Sequence, residues 1–350
     1  MPALALDPAR AETADATAPQ LVEAEKSSEA LTTVTPVDEN DDSDVRTLDE
    51  LVRKRARTHP HHVVVSYPST GVEYVDYTMQ QLDVFAHRVA KVYEAHVPPR
   101  TTSGEKPQVV AILGPSNLDY LVTILALTKL GHTVLFLSTR ITQEAVDALL
   151  ASTDASFLLR DARYSAVADA AKDALPALGV ADIANGSTYN FPVDATDTNL
   201  SSALDPLTET NHVVFIIHSS GTHSPPPLHL SSPLTNTTTG STGLPKAIPQ
   251  TQKSAVANYA MHLGLKAFIT LPLFHNHGIS NLFRALHAVR PIHLYNADLP
   301  LTREHLTSVF SRHDFEVFYG VPYALKLLAE TEEGVAFLRG MKIVMFGGSA

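Results

Sequence analysis

The strongest constraint in this sequence is a predicted strand that runs directly into a glycine-rich loop. Residues 213–217, Val-Val-Phe-Ile-Ile, form an apolar run typical of a buried strand. His-Ser-Ser-Gly follows at 218–221, and Ser-Thr-Gly-Leu-Pro-Lys comes at 241–246, after a segment rich in proline, serine and threonine. Read without that segment, residues 222–240, the chain contains the decamer His-Ser-Ser-Gly-Ser-Thr-Gly-Leu-Pro-Lys.

This decamer has the chemistry of a phosphate-binding loop. Glycines let the backbone turn tightly and bring N–H groups close to an anion, hydroxyls add donors, and a lysine supplies a mobile positive charge. The Walker pattern is not met, because Lys246 follows a proline and no serine or threonine comes after it. The loop therefore predicts that a nucleotide triphosphate is bound by a motif other than the Walker motif.

Residues 222–240 have two explanations. Their nineteen codons make a multiple of three nucleotides, Gly221-Thr222 can be encoded with a GT donor, and Thr239-Gly240 can be encoded with an AG acceptor. We therefore expect a translated short intron, and the alternative is a genuine surface-loop insertion, whose entropic cost grows only slowly with length. Sequencing the transcript across these codons distinguishes the two.

Charge and composition predict the domain organisation. Residues 1–50 hold thirteen of the acidic side chains against three basic ones, whereas the rest of the chain is close to neutral. We expect a disordered acidic leader over residues 1–45 and a folded domain over residues 46–350. The sequence has no basic stripe for nucleic acid, no cysteine, no membrane-spanning apolar run and no signal peptide, so a cytoplasmic location is expected.

Alternating strand and helix patterns predict an α/β fold. A strand over residues 109–113, a helix over 118–130 and a strand over 134–137 form a βαβ unit of the length expected for parallel strands. A capping box, Thr47 with Glu50, predicts where the first helix begins. The pattern also predicts a helix over residues 164–178 and an irregular surface connection, with no pattern of metal ligands, over residues 179–210.

Several segments resemble, in the same order, those of the adenylate-forming (AMP-binding) superfamily, which includes acyl-CoA synthetases, luciferases and peptide-synthetase adenylation domains. They are Tyr77-Thr78, the segment from Leu125 to Leu137, the decamer, Pro272-Leu-Phe-His-Asn-His-Gly278, Gly320-Val-Pro322 and Gly347-Gly-Ser349. The sequences of these segments are most similar to those of fungal peptide-synthetase-like multidomain proteins. Stand-alone acyl-CoA ligases are the next most similar group. The resemblance implies layered parallel or mixed sheets with flanking helices, as part of a large N-terminal domain.

The resemblance also implies two groups of site residues. The ATP phosphates would be bound by Ser219, Ser220, Gly221, Ser241, Thr242, Gly243 and Lys246. The acid pocket would be bounded by His275, Gly320, Val321, Gly347, Gly348 and Ser349, with the His275 imidazole gating or orienting the carboxylate. A zinc site is not expected, because His275 and His277 are two residues apart and no third ligand is in view.

The implied reaction has two steps, with ATP and Mg²⁺ as cofactors. A small carboxylic acid attacks the α-phosphorus of ATP, and the acyl-adenylate is then captured by coenzyme A or by the phosphopantetheine arm of a carrier domain. We expect the family's later motifs and its small C-terminal domain to be absent from this form, so no catalytic residue can be assigned. We therefore expect impaired activation in this form, and the alternative is a silent fragment or a nucleotide- or acyl-binding module. The identity of the acid stays open.

Overall fold

Two six-stranded sheets organise the computed structural model of this protein. The structure describes residues 42, 44–194, 197, 202–219 and 243–347. Numbered in chain order, the strands are β1 (Val63–Thr70), β2 (Glu73–Thr78), β3 (Val109–Leu113), β4 (Thr133–Leu137), β5 (Ala155–Arg160), β6 (Gly179–Asp182), β7 (Val213–His218), β8 (Ala247–Thr251), β9 (Ala267–Ile269), β10 (Ile292–Leu294), β11 (Val317–Gly320) and β12 (Ile343–Phe346).

Each sheet combines parallel strands with one antiparallel edge strand. Sheet A has the order β12-β11-β9-β10-β1-β2, and sheet B has the order β6-β5-β3-β4-β7-β8. The antiparallel pairs are β1 with β2 and β7 with β8. The predicted α/β class, with layered parallel and mixed sheets, is confirmed.

Helices flank both sheets, and most begin at a side chain that accepts a hydrogen bond from the first turn. Thr47 and Glu50 form the predicted capping box, and Thr78 forms a second one with Gln81. The helices are α1 (Leu48–Thr58), α2 (Met79–Tyr93), α3 (Leu118–Lys129), α4 (Gln143–Ser152), α5 (Ser165–Ala174), α6 (Pro206–Glu209), α7 (Gln252–Ala260), α8 (Asn276–Ala288), α9 (Arg303–Phe310), α10 (Pro322–Ala329) and α11 (Glu332–Gly340).

Three apolar clusters hold the layers together. The largest joins both sheets through α2, α3 and α8, and α3 is buried on nearly every side. A second cluster packs α4 and α5 on the other face of sheet B. The third packs α9 and α10 on the other face of sheet A, around Phe268 and Phe318. No helix of the described ranges is long and apolar enough to cross a membrane.

Two predictions between residues 164 and 210 are wrong. The helix ends at Ala174, because Leu175 precedes Pro176 and a residue before proline disfavours the helical conformation. The supposed irregular connection contains β6, which pairs with the edge of β5, and also the short α6. The four residues of β6 have no alternating pattern of their own, so their strand conformation depends on that pairing.

The predicted acidic leader lies almost entirely outside the described residues. Of its last residues, Val45 is buried, and the Asp42 carboxylate forms ion pairs with Arg55 and Lys54 of α1. The boundary at residue 45 stays a prediction.

One buried ionic group connects the first three helices. The Lys129 ammonium of α3 lies 3.2 Å from the Asp49 carboxylate of α1 and also contacts the Asp83 carboxylate of α2. Burial alone would lower the pKa of Lys129, but the two carboxylates raise it above its ordinary value. The cation is therefore required to compensate two desolvated anions.

We expect the Lys129→Met substitution to lower the free energy of unfolding by about 3–5 kcal/mol, because it leaves two buried carboxylates without a counter-ion. The matched control is Lys106→Met, which removes an ion pair with Asp154 in which both side chains are more than four-fifths exposed. That control should change stability by about 1 kcal/mol or less. Urea unfolding measures both, and equal effects would contradict this account of the ionic group.

Candidate functional site

The two halves of the predicted phosphate loop meet where β7 ends and β8 begins. The Ser219 N–H donates to the Lys246 carbonyl over 3.0 Å, and the Lys246 N–H donates to the Ser219 hydroxyl over 2.9 Å. These bonds extend the antiparallel pairing of His218 with Ala247 by one step. Residues 219 and 246 are therefore adjacent in space, although a long segment separates them in sequence.

Only part of this loop belongs to the described residues. Gly243 has a φ of 68°, in the left-handed region that glycine adopts without strain. Lys246 is exposed, and its ammonium pairs with no carboxylate of the described chain. The other predicted phosphate ligands, Ser220, Gly221, Ser241 and Thr242, lie outside the described residues.

The segment that carries His275 leaves β9 and lies against the end of sheet B. The Leu273 N–H donates to the Ser116 hydroxyl over 2.8 Å, which ties this segment to the loop after β3. At its other end, the Gln250 side-chain amide donates to the Asn276 side-chain oxygen over 2.9 Å. One contact to the loop after β3 and one to Gln250 within β8 therefore hold the start of α8 against sheet B.

His275 faces the phosphate loop rather than the far wall of the predicted acid pocket. Its ring centroid lies 6.5 Å from that of His218, the last residue of β7. Burial lowers the pKa of His275, and His218 and Arg140 lower it further. The imidazole is therefore neutral near pH 7 and can donate one hydrogen bond and accept another.

Three of the residues predicted to bound the acid pocket, Gly320, Val321 and Gly347, lie together at the carboxyl ends of β11 and β12. The Gly347 N–H donates to the Gly320 carbonyl over 3.2 Å, and Val321 precedes the first turn of α10. His277 also lies here, with its ring centroid 5.9 Å from that of Tyr319. Gly348 and Ser349 fall outside the described residues.

Gly347 allows His277 to approach the backbone closely. A Cβ atom at Gly347 would lie 3.0 Å from the His277 Nδ1 atom, tighter than an ordinary contact. Burial, and then Arg284, lower the pKa of His277, so this ring is also neutral near pH 7. The two histidines of one short motif therefore lie in different surroundings, His275 beside His218 and His277 beside Tyr319 and Gly347.

The sequence did not indicate a role for four of the side chains that shape this site. The motif suggests His277 only as a zinc ligand, which was not expected, and its place beside Gly347, the residue after β12, depends on the order of strands in sheet A. His218 was part of the phosphate motif but received no role. The contact between Gln250 and Asn276 joins two segments whose proximity the sequence does not show. Among the described residues, no group of three or more histidine, aspartate or glutamate side chains could hold a metal ion.

The architecture and the site together define a class of protein. The glycine-rich loop follows β7 of one mixed sheet, and the histidine segment follows β9 of the other. The start of the loop and the histidine segment lie side by side, the arrangement expected of an adenylate-forming domain. The family model described as "AMP-binding enzyme" matches residues 52–227 and 234–350. The chain belongs to this family.

Relatives and solved structures agree with the assignment. The chain is 24% identical to a non-ribosomal peptide synthetase of Acremonium egyptiacum, over 87% of this chain and 27% of that protein. It is 26% identical to an adenylate-forming reductase of Stachybotrys bisbyi, over 87% of this chain and 28% of that one. O-succinylbenzoate coenzyme A synthetase from Bacillus subtilis, in complex with AMP, has a TM-score of 0.60 at 20% identity and covers 85% of this chain and 67% of that chain.

These comparisons differ in what they cover. The chain spans little more than a quarter of the length of the curated relatives it matches, 27% and 28% for the two named. The likeness to the solved structure concerns the fold. The family match passes over residues 228–233, which lie within the segment predicted to be an insertion or a retained intron.

The glycine at the end of the histidine motif gives a test of how α8 is placed. A Cβ atom at Gly278 would lie 2.0 Å from the Pro272 carbonyl oxygen, so we expect Gly278→Ala to displace the start of α8 and to lower the free energy of unfolding by about 1–3 kcal/mol. The control is Gly340→Ala at the end of α11, where a Cβ atom would meet nothing within 4 Å.

The control substitution should be neutral, or stabilising by up to about 1 kcal/mol, because alanine favours the helix. Urea unfolding compares the two variants. A Gly278→Ala protein as stable as the Gly340→Ala protein would show that α8 does not need this close approach.

Proposed function

We propose that this chain carries the ATP- and acid-binding site of an enzyme that activates a small carboxylic acid as its adenylate. The observation that carries the proposal is the reciprocal hydrogen bonding of Ser219 and Lys246, which brings the two halves of a phosphate-loop motif together. Membership of the AMP-binding family supports carboxylate activation by ancestry. The particular acid is left open.

The charges at this edge of sheet B support the binding of a triphosphate. Lys246 is exposed where β8 begins, and Arg140 is exposed after β4, on the other side of β7. Both cations therefore flank the strand that leads into the glycine-rich loop. In this proposal Ser219, Gly243 and Lys246, together with Ser220, Gly221, Ser241 and Thr242, bind the phosphates. Mg²⁺ would arrive bound to ATP, and no residue of the chain is assigned to it.

The start of α8 supports a place for the carboxylate. The His275 side chain does not cap the helix, so the N–H groups of the first turn are left to bind an anion. A neutral His275 beside them would orient the acid toward the nucleotide, while Gly320, Val321, Gly347, Gly348 and Ser349 would bound the rest of the pocket. On the geometry given above, His277 would contact the acid at the end farther from the phosphates.

The second half of the reaction would transfer the acyl group to a thiol. One curated relative is a peptide synthetase and another a reductase, and both are much longer than this chain. We infer that the acceptor is either coenzyme A or a phosphopantetheine arm on a carrier domain of a longer polypeptide. A cytoplasmic location fits this supply of ATP and thiol.

We expect Lys246→Ala to weaken Mg-ATP binding by about 10–100-fold, because a charge-assisted hydrogen bond contributes about 1.5–3 kcal/mol. Calorimetric titration of the 350-residue chain measures the dissociation constant. Lys253→Ala is the matched control, since Lys253 is an exposed lysine at the start of the neighbouring α7, and its loss should leave binding unchanged.

Acid-dependent exchange of pyrophosphate into ATP then tests the chemistry, with a panel of aliphatic and aromatic acids. Exchange that is lost in Lys246→Ala and kept in Lys253→Ala supports acid activation. ATP binding with no exchange for any acid would favour the second candidate, a nucleotide- or acyl-binding module. If Lys246→Ala binds ATP as tightly as the unsubstituted chain, the proposed phosphate site is wrong.

A further inference from the structure

His218 is a buried histidine whose two ring nitrogens both contact backbone groups. The Ser138 N–H donates to the His218 Nε2 atom over 3.1 Å. The His218 Nδ1 atom lies 2.9 Å from the Ser219 carbonyl oxygen. An amide N–H can only donate and a carbonyl can only accept, so the ring must carry its proton on Nδ1 and a lone pair on Nε2. Both nitrogens are thereby used by the neutral form.

These two bonds join three segments of backbone at one edge of sheet B. Ser138 follows β4, and Ser219 follows β7, its parallel neighbour in the sheet. Ser219 is in turn bonded twice to Lys246, the residue before β8. The ring therefore holds the Ser219 carbonyl, at the start of the glycine-rich loop, to the end of the adjacent strand β4.

We propose that His218 is a positioning residue for the phosphate loop: its neutral ring clamps Ser219, and through it Lys246, to the end of β4. This inference rests on the proposed function for its consequence, which is ATP affinity, but the clamp itself is a property of the backbone. His218 touches neither phosphate nor acid in this account. It acts through the two residues that do bind the nucleotide.

The surroundings of the ring favour the neutral form that the clamp needs. Burial lowers the pKa of His218, and the hydrogen bond to the Ser219 carbonyl opposes that shift only in part. Among the described residues, the titratable and charged groups on this side are His275 at the start of α8, Arg140 after β4 and Lys246 before β8, and none of them is an anion that would stabilise a charged imidazole. A proton added to Nε2 would also displace the Ser138 N–H.

Three substitutions of His218 separate the two bonds. Asparagine can place its amide nitrogen where Nδ1 lies and keep the bond to Ser219, whereas glutamine can place its oxygen near Nε2 and keep the bond from Ser138. Leucine removes both. We expect Mg-ATP to bind about fivefold more weakly to His218→Asn and His218→Gln, and at least about tenfold more weakly to His218→Leu, because each net hydrogen bond contributes a factor of this size.

His132 provides a matched control at the opposite end of β4. Its Nδ1 atom accepts from the Gln108 N–H over 3.2 Å, and its Nε2 atom lies 2.8 Å from the Pro98 carbonyl oxygen, so it too bridges two backbone segments. His132→Leu should lower the unfolding midpoint as His218→Leu does but leave the ATP dissociation constant unchanged. Equal ATP affinity in His218→Leu and His132→Leu would overturn the proposal.

A second measurement does not depend on ATP. Amide hydrogen exchange at Ser219 and Lys246 should be faster in His218→Leu than in the unsubstituted chain, with partial rescue in His218→Asn, and unchanged in His132→Leu. If the unsubstituted chain binds no ATP, the proposed function fails while this exchange result still decides the clamp. Unchanged protection at both amides in His218→Leu would refute the clamp whatever the nucleotide does.

Discussion

The antiparallel pairing of β7 with β8 is the interaction on which the candidate site depends. It ends in the two bonds between Ser219 and Lys246, so the chain leaves the sheet and returns to it at one point. The entropic cost of closing a loop grows only with the logarithm of its length, so a longer loop between paired ends costs little more than a short one. This explains how a phosphate-loop motif can be interrupted in sequence and still have its flanking residues side by side.

The same edge of sheet B also places the second motif. Ser116 holds the Leu273 backbone and Gln250 holds Asn276, so the histidine segment is attached both to the loop after β3 and to β8. The glycine at 278 then lets α8 begin directly beneath Pro272. Two neutral histidines, His275 and His277, result from burial at this junction. Neutral rings beside exposed cations are compatible with the proposed binding of an anionic nucleotide and a carboxylate.

The sequence predicted the fold class and the order of the motifs because these depend on local patterns. Apolar runs such as residues 109–113 and 213–217 are strands for reasons contained in the runs themselves. By contrast, β6 and β8 are edge strands, and β8 contains Pro249, which an edge strand tolerates because its N–H side need not pair. Their conformation follows from neighbours that a linear pattern does not show.

The candidate site also has a part that the sequence predicts and a part that depends on which strands are neighbours. The phosphate and acid motifs could be recognised from residue types and spacing, and the structure gathers their described members at adjoining sheet edges. The separate surroundings of His275 and His277 could not be predicted, because they follow from which strand lies beside which. The role of His218 depends on the register between β4 and β7, which brings Ser138 within reach of its ring.

The central claim is that the paired strand ends and the motif residues next to them, and not residues 222–240, build the phosphate site. The most direct test is to delete residues 222–240, which leaves seven residues between Ser219 and Lys246, and to compare the Mg-ATP dissociation constants of the shortened and intact chains. The account predicts equal or tighter binding by the shortened chain, with its fold retained by circular dichroism. A folded but shortened chain that no longer binds ATP, when the intact chain does, would contradict it.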